Sequence, residues 1–453
     1  MSATPARRVA REVLTRVREG AAYGHETLSA ALGHAHLSAD DSAFATRLAY
    51  GALQTQGTLD DAIERHTGGK RLEPRVRDAM RVAAYEILFL RTADRASVHQ
   101  GVELVKTVRP QASGLANAVL RRIAEDAPEF PWGDPATDDA ALARLHAHPR
   151  WLADLWIREL GRPAAAEVMA ADNTPAPLYL AVNPFVATWD EAIEALDADG
   201  ASPVPCVPTG CVRAVDPPAA VHGRALREGL AVVVDSAAQL VASLVAVRPG
   251  ATVVEVGAGR GTKTLLLQAA AIAQGGPARL FAIDLHEFKS RLLEQRLVSY
   301  GVPGIVALTG DATDLAAIPG IPEVGTVDAV LIDAPCSGLG TLRRHPEKRW
   351  RVTPGDIDEL AALGSRLLSS AASLVRRGGF VVYSTCTLDD AENARVVEAF
   401  LESEEGRGFR VDSLSPDLTG EWMRHSTAEG YFRSLPESGG PDGHFAARFV
   451  RVE

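Results

Sequence analysis

The sequence predicts an α/β protein in which a doubly wound, mainly parallel sheet follows an all-α region and a small mixed α/β domain. Two patterns lead to this fold class. Apolar residues repeat at helical spacing through residues 1 to about 125, whereas short apolar runs alternate with helical segments from Asp235 onward. In the second region each apolar run ends in glycine or polar residues, as the strands of a parallel sheet do beside a ligand site.

Length and composition restrict the kind of protein further. The 453 residues suffice for two or three domains. No apolar run approaches the roughly 18 residues of a membrane span. The start, MSATPARRVAREVL, lacks the apolar core of a secretory signal. A net charge of −11 disfavours nonspecific nucleic-acid binding over the whole surface but allows local basic patches. We therefore expect a cytoplasmic monomer without membrane contacts.

The cysteine pattern argues against structural disulfides and metal sites. Cys206, Cys211, Cys336 and Cys386 are too few for a disulfide framework, and none forms a C-x-x-C pair of the kind that binds zinc. We expect no metal.

Composition divides the chain into four segments. We predict a helical domain over 1–125, a linker over 126–141, a small mixed domain over 142–234 and the α/β domain over 235–453. The linker is acidic and rich in proline, and the mixed domain opens with a helix around Pro149–Gly161.

The helical segment carries a basic cluster that has two interpretations. Its side chains form either a solvated helix face or an RNA-contacting face, and charge alone does not separate the two. The cluster comprises Arg65, Lys70, Arg71, Arg75, Arg77 and Arg81.

The α/β segment contains a series of predicted strands whose carboxyl ends carry polar residues. The first runs into the glycine loop that begins at Gly257, the second ends at Asp284, and the third precedes Asp311. The predicted strands are Leu178–Val182 in the mixed domain and then 251–256, 280–283, 305–308, 330–332, 379–383 and 444–451.

The glycine loop indicates which cofactor the sheet binds. A dinucleotide loop reads G-x-G-x-x-G, but the third glycine position counted from Gly257 is Thr262. The observed acidic-x-G-x-G-x-G pattern is typical of class I methyltransferases that bind S-adenosyl-L-methionine. We predict that Asp284 accepts the ribose hydroxyls and Asp311 the adenine amino group. The other predicted cofactor-binding residues are Gly257, Ala258, Gly259, Arg260, Gly261, Thr262, Lys263 and Asp333.

Two cysteines follow strand ends at the same edge. Cys336 lies three residues after Asp333 in DAPCSG, and Cys386 follows a later strand. Carbon 5 of cytosine accepts a methyl group once a thiolate has added to carbon 6 and nitrogen 3 is protonated or hydrogen-bonded, which requires a thiolate and a carboxylic acid together. The alternative is that these are buried packing thiols.

A second basic cluster follows the DAPCSG loop directly. It places five basic residues against one acidic residue, Glu347, and predicts contacts with RNA phosphates. Its residues are Arg343, Arg344, Lys348, Arg349 and Arg351.

These motifs resemble the Sun family of RNA cytosine-C5 methyltransferases, and their order resembles its RsmB branch, which modifies small-subunit rRNA. The matching stretches are DAPCSG, STCTL, HPRWLADLW, VDSAAQLVASLV, LRRHPEKRW and PDGHFAARFVRV. The resemblance implies a NusB-like RNA-binding domain at residues 1–125 and an RNA-binding role for the small mixed domain. It also implies that Cys386 is the nucleophile, that Cys336 assists product release, and that Asp333 is the acid at ring nitrogen 3.

The cofactor loop departs from the family pattern. The family reads D-x-C-A-A-P-G-G-K-T where this chain reads EVGAGRGTKT, so that Glu255 replaces the aspartate and Lys263 matches the family's lysine. Two other functions stay open from the sequence. One is a tRNA cytosine-C5 methyltransferase with the same chemistry, and the other is a non-catalytic RNA-binding or ribosome-assembly factor.

Overall fold

The computed structural model describes residues 2–20 and 24–453, which form two compact units. The first unit contains the chain up to Thr174 together with Leu342–Val352. The second contains Pro175–Thr341 and Thr353–Glu453. Among the described residues, no helix is both long enough and apolar enough to cross a membrane.

The first unit is helical. Residues Val76, Met80, Ala83 and Ile87, which the periodicity assigned to one helix face, are all buried in its core. Numbered along the whole chain, its helices are α1 (Pro5–Arg18), α2 (Gly24–Ala35), α3 (Ala39–Gln54), α4 (Gln56–Thr67), α5 (Pro74–Leu88), α6 (Asp94–Lys106), α7 (Ser113–Asp126), α8 (Asp139–Leu145), α9 (Arg150–Leu160), α10 (Arg162–Ala171) and α17 (Lys348–Arg351).

The segment predicted as a linker is folded onto this unit. The ring of Phe130 packs edge-on against Phe89 at 5.3 Å between centroids, and Arg65 lies 4.8 Å over the ring of Trp132. The following helices up to Thr174 also belong to the helical unit, where the Gln54 side chain donates to the Asp172 carbonyl at 2.7 Å. Proline and acidic residues suggested an extended segment, but its two aromatic residues anchor it to the core.

The second unit contains two sheets. Its strands are β1 (Leu178–Val182), β2 (Pro203–Cys206), β3 (Cys211–Ala214), β4 (Ala231–Val233), β5 (Thr252–Val256), β6 (Arg279–Asp284), β7 (Ile305–Thr309), β8 (Val327–Asp333), β9 (Val375–Thr385), β10 (Phe409–Val411), β11 (Phe432–Ser434) and β12 (His444–Arg451). Its helices are α11 (Trp189–Ala198), α12 (Pro217–His222), α13 (Arg224–Arg227), α14 (Ser236–Ser243), α15 (Thr262–Ala273), α16 (Glu287–Tyr300), α18 (Pro354–Leu374) and α19 (Ala394–Glu402).

The smaller sheet is antiparallel, with strand order β2-β3-β1-β4. The larger sheet has the order β10-β12-β9-β8-β5-β6-β7, and β11 pairs with β12. Strands β5 to β9 are parallel, whereas β12 runs antiparallel to β9. The strand order therefore reverses between β5 and β8, and parallel sheets bind ligands in the crevice outside such a switch point.

The apolar runs form strands because both faces of the larger sheet are covered. Val253 on β5 packs into the core on one face, while Val254 and Val256 pack into the core on the other. This two-sided burial explains why Val253, Val254 and Val256 are apolar on both faces of the strand, with Glu255 as the polar exception. The predicted doubly wound α/β fold class, preceded by a helical region and a small mixed domain, is confirmed.

Candidate active site

The glycine loop turns sharply from β5 into α15. Gly257 has φ +80°, and a Cβ there would lie 2.3 Å from the Asp333 carbonyl oxygen. Gly261, with φ +78°, precedes the first residue of α15, and its Cβ would lie 2.1 Å from Leu293 Cδ1. Both positions therefore require glycine, because a side chain would be strained by its φ and would clash. The first backbone N–H groups of α15, at the end of this loop, have no hydrogen-bond partner within the helix.

Asp284 ends β6 beside this loop. Its carboxylate accepts the backbone N–H of Gly259 at 3.1 Å and that of His286 at 2.9 Å, and Lys289 Nζ lies 3.4 Å away. The next residue, Leu285, is apolar but 61% exposed. A buried carboxylate thus adjoins an exposed apolar side chain, and the role of Asp284 toward the ribose hydroxyls stays a prediction. These residues, with the open glycine backbone, fit S-adenosyl-L-methionine.

Asp311 follows β7 at the same edge of the sheet. Its Oδ1 accepts the Thr313 backbone N–H at 2.9 Å and the Thr313 hydroxyl at 2.8 Å, and these bonds lower the pKa of Asp311. The side chain is exposed. Its role toward the adenine amino group stays a prediction.

Glu255, which replaces the family's aspartate, is turned into the protein. It is 1% exposed and accepts the Thr264 hydroxyl at 2.6 Å. Burial raises the pKa of Glu255 to about 8. The carboxyl group is therefore kept at this position, and it is bonded to the first turn of α15.

The two strand-end cysteines lie together. Cys336 Sγ and Cys386 Sγ are 3.4 Å apart, and the Cys386 backbone N–H donates to Cys336 Sγ, also at 3.4 Å. Neither cysteine forms a disulfide. Adjacent backbone bonds join the two loops, because Ala334 N–H donates to the Ser384 carbonyl and Gly340 N–H to the Cys386 carbonyl. The hydrogen bond with Cys386, burial, and the negative charges of Cys386 and Glu392 raise the pKa of Cys336.

Asp333 and Lys263 form an ion pair beside the thiols. Lys263 Nζ lies 2.6 Å from Asp333 Oδ2, with side-chain exposures of 13% and 32%. Burial lowers the pKa of Lys263, but attraction and hydrogen bonding by Asp333, with the charge of Cys386, outweigh it and raise that pKa. The buried lysine is therefore an ammonium whose charge favours a thiolate at Cys386.

Sequence reasoning missed two residues that support the thiol loops. Glu392 accepts the Ser337 backbone N–H at 2.7 Å, and Asn393 Nδ2 donates to the Thr387 carbonyl at 3.1 Å. Glu392 and Asn393 are buried although they immediately precede the apolar helix α19. The sequence did contain one indication of their role: an acidic residue and an amide precede an apolar helix shortly after Cys386.

The second basic cluster lies in the helical unit, and burial excludes one of its members from the surface. Arg349 is 0% exposed, and its guanidinium donates to the Ala147 carbonyl at 3.1 Å, to Asn173 Oδ1 at 3.0 Å and to the Asp172 carbonyl at 3.2 Å. The predicted RNA contact of Arg349 is therefore wrong, because both terminal nitrogens donate within the protein and no surface of the side chain remains for a phosphate.

The remaining members of this cluster differ in exposure. Arg343 is 7% exposed, and Arg351 Nη2 donates to the Val17 carbonyl at 2.7 Å while its side chain stays exposed. Arg344 and Lys348 are partly exposed. In the described part of the chain, no group of three or more His, Cys, Asp or Glu side chains could hold a metal ion.

A sheet of this order, with the glycine loop and strand-end acids at its switch point, is the architecture of class I methyltransferases. The family model of the 16S rRNA methyltransferases RsmB/F matches residues 242–450. The NusB family matches 4–125, and a ferredoxin-like domain of RsmF/B-like methyltransferases matches 148–214. The chain belongs to the RsmB/F family of RNA methyltransferases, and its cofactor is S-adenosyl-L-methionine.

Individual relatives span the whole chain. It is 34% identical to the putative methyltransferase Rv1407 of Mycobacterium tuberculosis, covering 99% of this chain and 97% of the relative. It is 31% identical to the probable ribosomal RNA small subunit methyltransferase B of Synechocystis, covering 99% of both.

Two solved structures share the fold. One is the crystal structure of PH0851, with a TM-score of 0.81, 24% identity and 100% of both chains covered. The other is NSun6 from Pyrococcus horikoshii, with a TM-score of 0.58 and 17% identity over 68% of this chain and 100% of that one.

Proposed function

We propose that this enzyme methylates carbon 5 of a cytosine in small-subunit rRNA through a covalent cysteine adduct. The observation that carries the proposal is the pair of thiols 3.4 Å apart, beside the Lys263–Asp333 ion pair. A methyltransferase that acts on a nucleophilic nitrogen or oxygen needs no thiol, whereas carbon 5 of cytosine must first be activated by a thiolate. The relatives named as small-subunit rRNA methyltransferases support the choice of RNA.

The first step is attack by Cys386. Its thiolate forms a bond to carbon 6 of the cytosine, and the ring electrons move toward carbon 5 and nitrogen 3. The Lys263 ammonium favours the thiolate before attack, and Cys336 keeps the proton that the two sulfurs share. Nitrogen 3 takes up a proton from solvent by way of the Asp333 carboxyl group, which Lys263 holds in place, and Asp333 takes that proton back during elimination. The target base must be unpaired or flipped out, because carbon 6 is shielded in a stacked helix.

S-adenosyl-L-methionine supplies the methyl group as an electrophile for carbon 5. The residues that hold it are the loop from Gly257 to Lys263, Asp284 and Leu285, with Asp311 at the adenine end.

The last step is elimination, in which Cys336 acts as the base. Attack converts the Cys386 thiolate into a neutral thioether, which removes one of the negative charges that raise the pKa of Cys336. Cys336 then loses its proton to solvent, accepts the proton from carbon 5, and the bond between carbon 6 and Cys386 breaks. The product is 5-methylcytosine and a Cys386 thiolate.

The proposal is tested by incubating purified protein and labelled S-adenosyl-L-methionine with small-subunit rRNA and, separately, with tRNA. We expect label in 5-methylcytosine from the rRNA, at a position that resists bisulfite conversion. Methylation of tRNA alone would identify a tRNA enzyme. Label in a different nucleoside would reject the cysteine mechanism, and no methylation of either RNA would favour an assembly factor.

The remaining domains are proposed to hold the RNA. The match of residues 4–125 to the NusB family and of 148–214 to the ferredoxin-like domain supports RNA binding by both. In the first basic cluster Arg77 and Arg81 form ion pairs with Glu64 and Asp60, whereas Lys70 and Arg71 are exposed. We propose Lys70 and Arg71 as phosphate contacts of a cytoplasmic, monomeric enzyme.

Asp284→Ala is expected to weaken binding of S-adenosyl-L-methionine about ten- to a hundred-fold. A charge-assisted hydrogen bond contributes about 1.5–3 kcal/mol, and the variant removes the acceptor for the ribose hydroxyls. Calorimetry with the cofactor alone measures the change, and Glu294→Ala, at an exposed position on the neighbouring helix α16, is the matched control. Equal affinities for the two variants would remove Asp284 from the site.

A further inference from the structure

A buried carboxylate connects the two thiol loops. Glu392 is 1% exposed, and its two oxygens accept the backbone N–H and the hydroxyl of Ser337, the residue directly after Cys336. The Ser337 hydroxyl also lies 2.8 Å from Thr387 Oγ1, the residue directly after Cys386. Glu392, Ser337 and Thr387 therefore form a bridge from one thiol loop to the other.

The bridge is itself held rigidly. Tyr383, which is 1% exposed, donates its hydroxyl to the Glu392 carbonyl at 2.7 Å. The next residue, Asn393, accepts the Thr385 hydroxyl at 2.5 Å and donates to the Thr387 carbonyl at 3.1 Å. The segment that carries Glu392 is thus bonded on both sides of Cys386, so the carboxylate cannot move without moving the thiol loops.

We propose that Glu392 is the positioning residue of the thiol pair: it holds Cys336 against Cys386, and its charge keeps the shared proton on Cys336 so that Cys386 is the nucleophile. This inference rests on the proposed cysteine mechanism. The two thiols, 3.4 Å apart, are the same chemical group. They can have different roles only if different charges surround the two sulfurs. Glu392 accepts the backbone N–H of Ser337, directly after Cys336, and its negative charge acts on Cys336, whereas the Lys263 ammonium favours a thiolate at Cys386.

The groups around Glu392 agree with this arrangement. Burial raises the pKa of Glu392, the hydrogen bonds from Ser337 and Thr387 oppose that effect, and the charge of Asp389 adds to it. Tyr383 is neutral, because burial and the charges of Cys336 and Glu392 raise its pKa above the usual value. No cation among these neighbours screens Cys336 from the carboxylate.

The test compares Glu392→Gln and Glu392→Ala in the full-length protein, with Glu398→Gln on the exposed side of α19 as the matched control. The rate of alkylation of Cys336 and Cys386 by iodoacetamide is measured against pH and assigned by peptide mass spectrometry. This readout follows the thiolate fraction of each cysteine and needs neither RNA nor cofactor.

Glu392→Gln retains the shape of the bridge and removes its charge. We expect the pH midpoint for Cys336 alkylation to fall by about one unit, which is an about tenfold faster reaction below the midpoint. Glu398→Gln should leave the midpoint unchanged. The turnover number of Glu392→Ala should fall about tenfold or more with unchanged RNA affinity, and Glu392→Gln should restore a part of it.

If the alkylation rate of Cys336 depends on pH in Glu392→Gln as it does in the unmutated protein, the proposal is overturned. Normal turnover of Glu392→Ala would also overturn it. If Glu392→Ala does not fold, the pH dependence of Cys336 alkylation in Glu392→Gln is the deciding measurement. A shifted profile in a protein whose unmutated form methylates no RNA would support the role of Glu392 in the thiol pair and reject the proposed function, so the two failures are distinguishable.

Discussion

Cys386→Ala is expected to abolish both the covalent protein–RNA adduct and methyl transfer. Without the sulfur no bond forms to carbon 6 of the cytosine, and carbon 5 keeps too little electron density to accept a methyl group. The neighbouring thiol does not replace it, because burial and the charge of Glu392 still raise the pKa of Cys336 when Cys386 is absent. When an enzyme that works through a covalent intermediate loses its nucleophile, only the rate enhancement that comes from binding and positioning the substrate remains.

Cys336→Ala should have the opposite effect on the adduct. Cys386 still attacks and the methyl group is still transferred, but no base removes the proton from carbon 5. The methylated RNA then stays bonded to Cys386, and a band that survives denaturation should accumulate. Gel electrophoresis of both variants with rRNA and cofactor under denaturing conditions makes the comparison.

The buried Cys211 provides a control, since Cys211→Ala removes a thiol that contacts Gln239 and not the catalytic loops. It should form no stable adduct and should retain activity. An adduct from Cys386→Ala with none from Cys336→Ala would reverse the two roles.

Arg349→Ala is expected to destabilise the helical unit by about 3–5 kcal/mol. Its guanidinium is fully buried and donates to the carbonyls of Ala147 and Asp172 and to the Asn173 side chain. Removing the partner of buried polar groups leaves them desolvated and unpaired, and the truncated side chain leaves a cavity. Burial lowers the pKa of Arg349 to about 10, so the side chain is still charged near neutral pH.

Urea denaturation followed by circular dichroism measures this loss, and hydrogen exchange at residues 146–174 locates it. Lys348→Ala, one position away and partly exposed, is the matched control and should change stability by less than about 0.5 kcal/mol. Equal stabilities would show that the bonds of Arg349 contribute nothing.

The Lys348→Ala variant also tests the RNA contacts that the sequence predicts for the partly exposed residues of this segment. If Lys348 and Arg344 hold phosphates, each alanine variant should reduce the slope of log affinity against log salt by about 1. An unchanged slope in both would leave the segment as a structural part of the helical unit alone.

The sequence by itself determined the parallel strands of the larger sheet, the strand β12 and the residues at the strands' carboxyl ends, whereas β10 and β11 were not predicted. Short, mainly apolar runs mark the parallel strands, and the predicted strand at 251–256 begins one residue before β5. The predicted strand at 444–451 coincides with β12, which pairs antiparallel with β9. Because parallel strands end at one edge, polar residues after several of them indicated one site, and Cys336 and Cys386 do meet there.

Only the tertiary structure decided what each charged side chain contacts. Arg349 and Lys348 are neighbours with the same charge, yet one is buried among carbonyl groups and the other is partly exposed. No role was assigned to Glu392 from the sequence, and its partner Ser337 lies 55 residues earlier in the chain. Hydrophobic periodicity reports which face of a segment is buried, but the partner of a polar group depends on which distant segment packs against it, and that information is absent from local sequence.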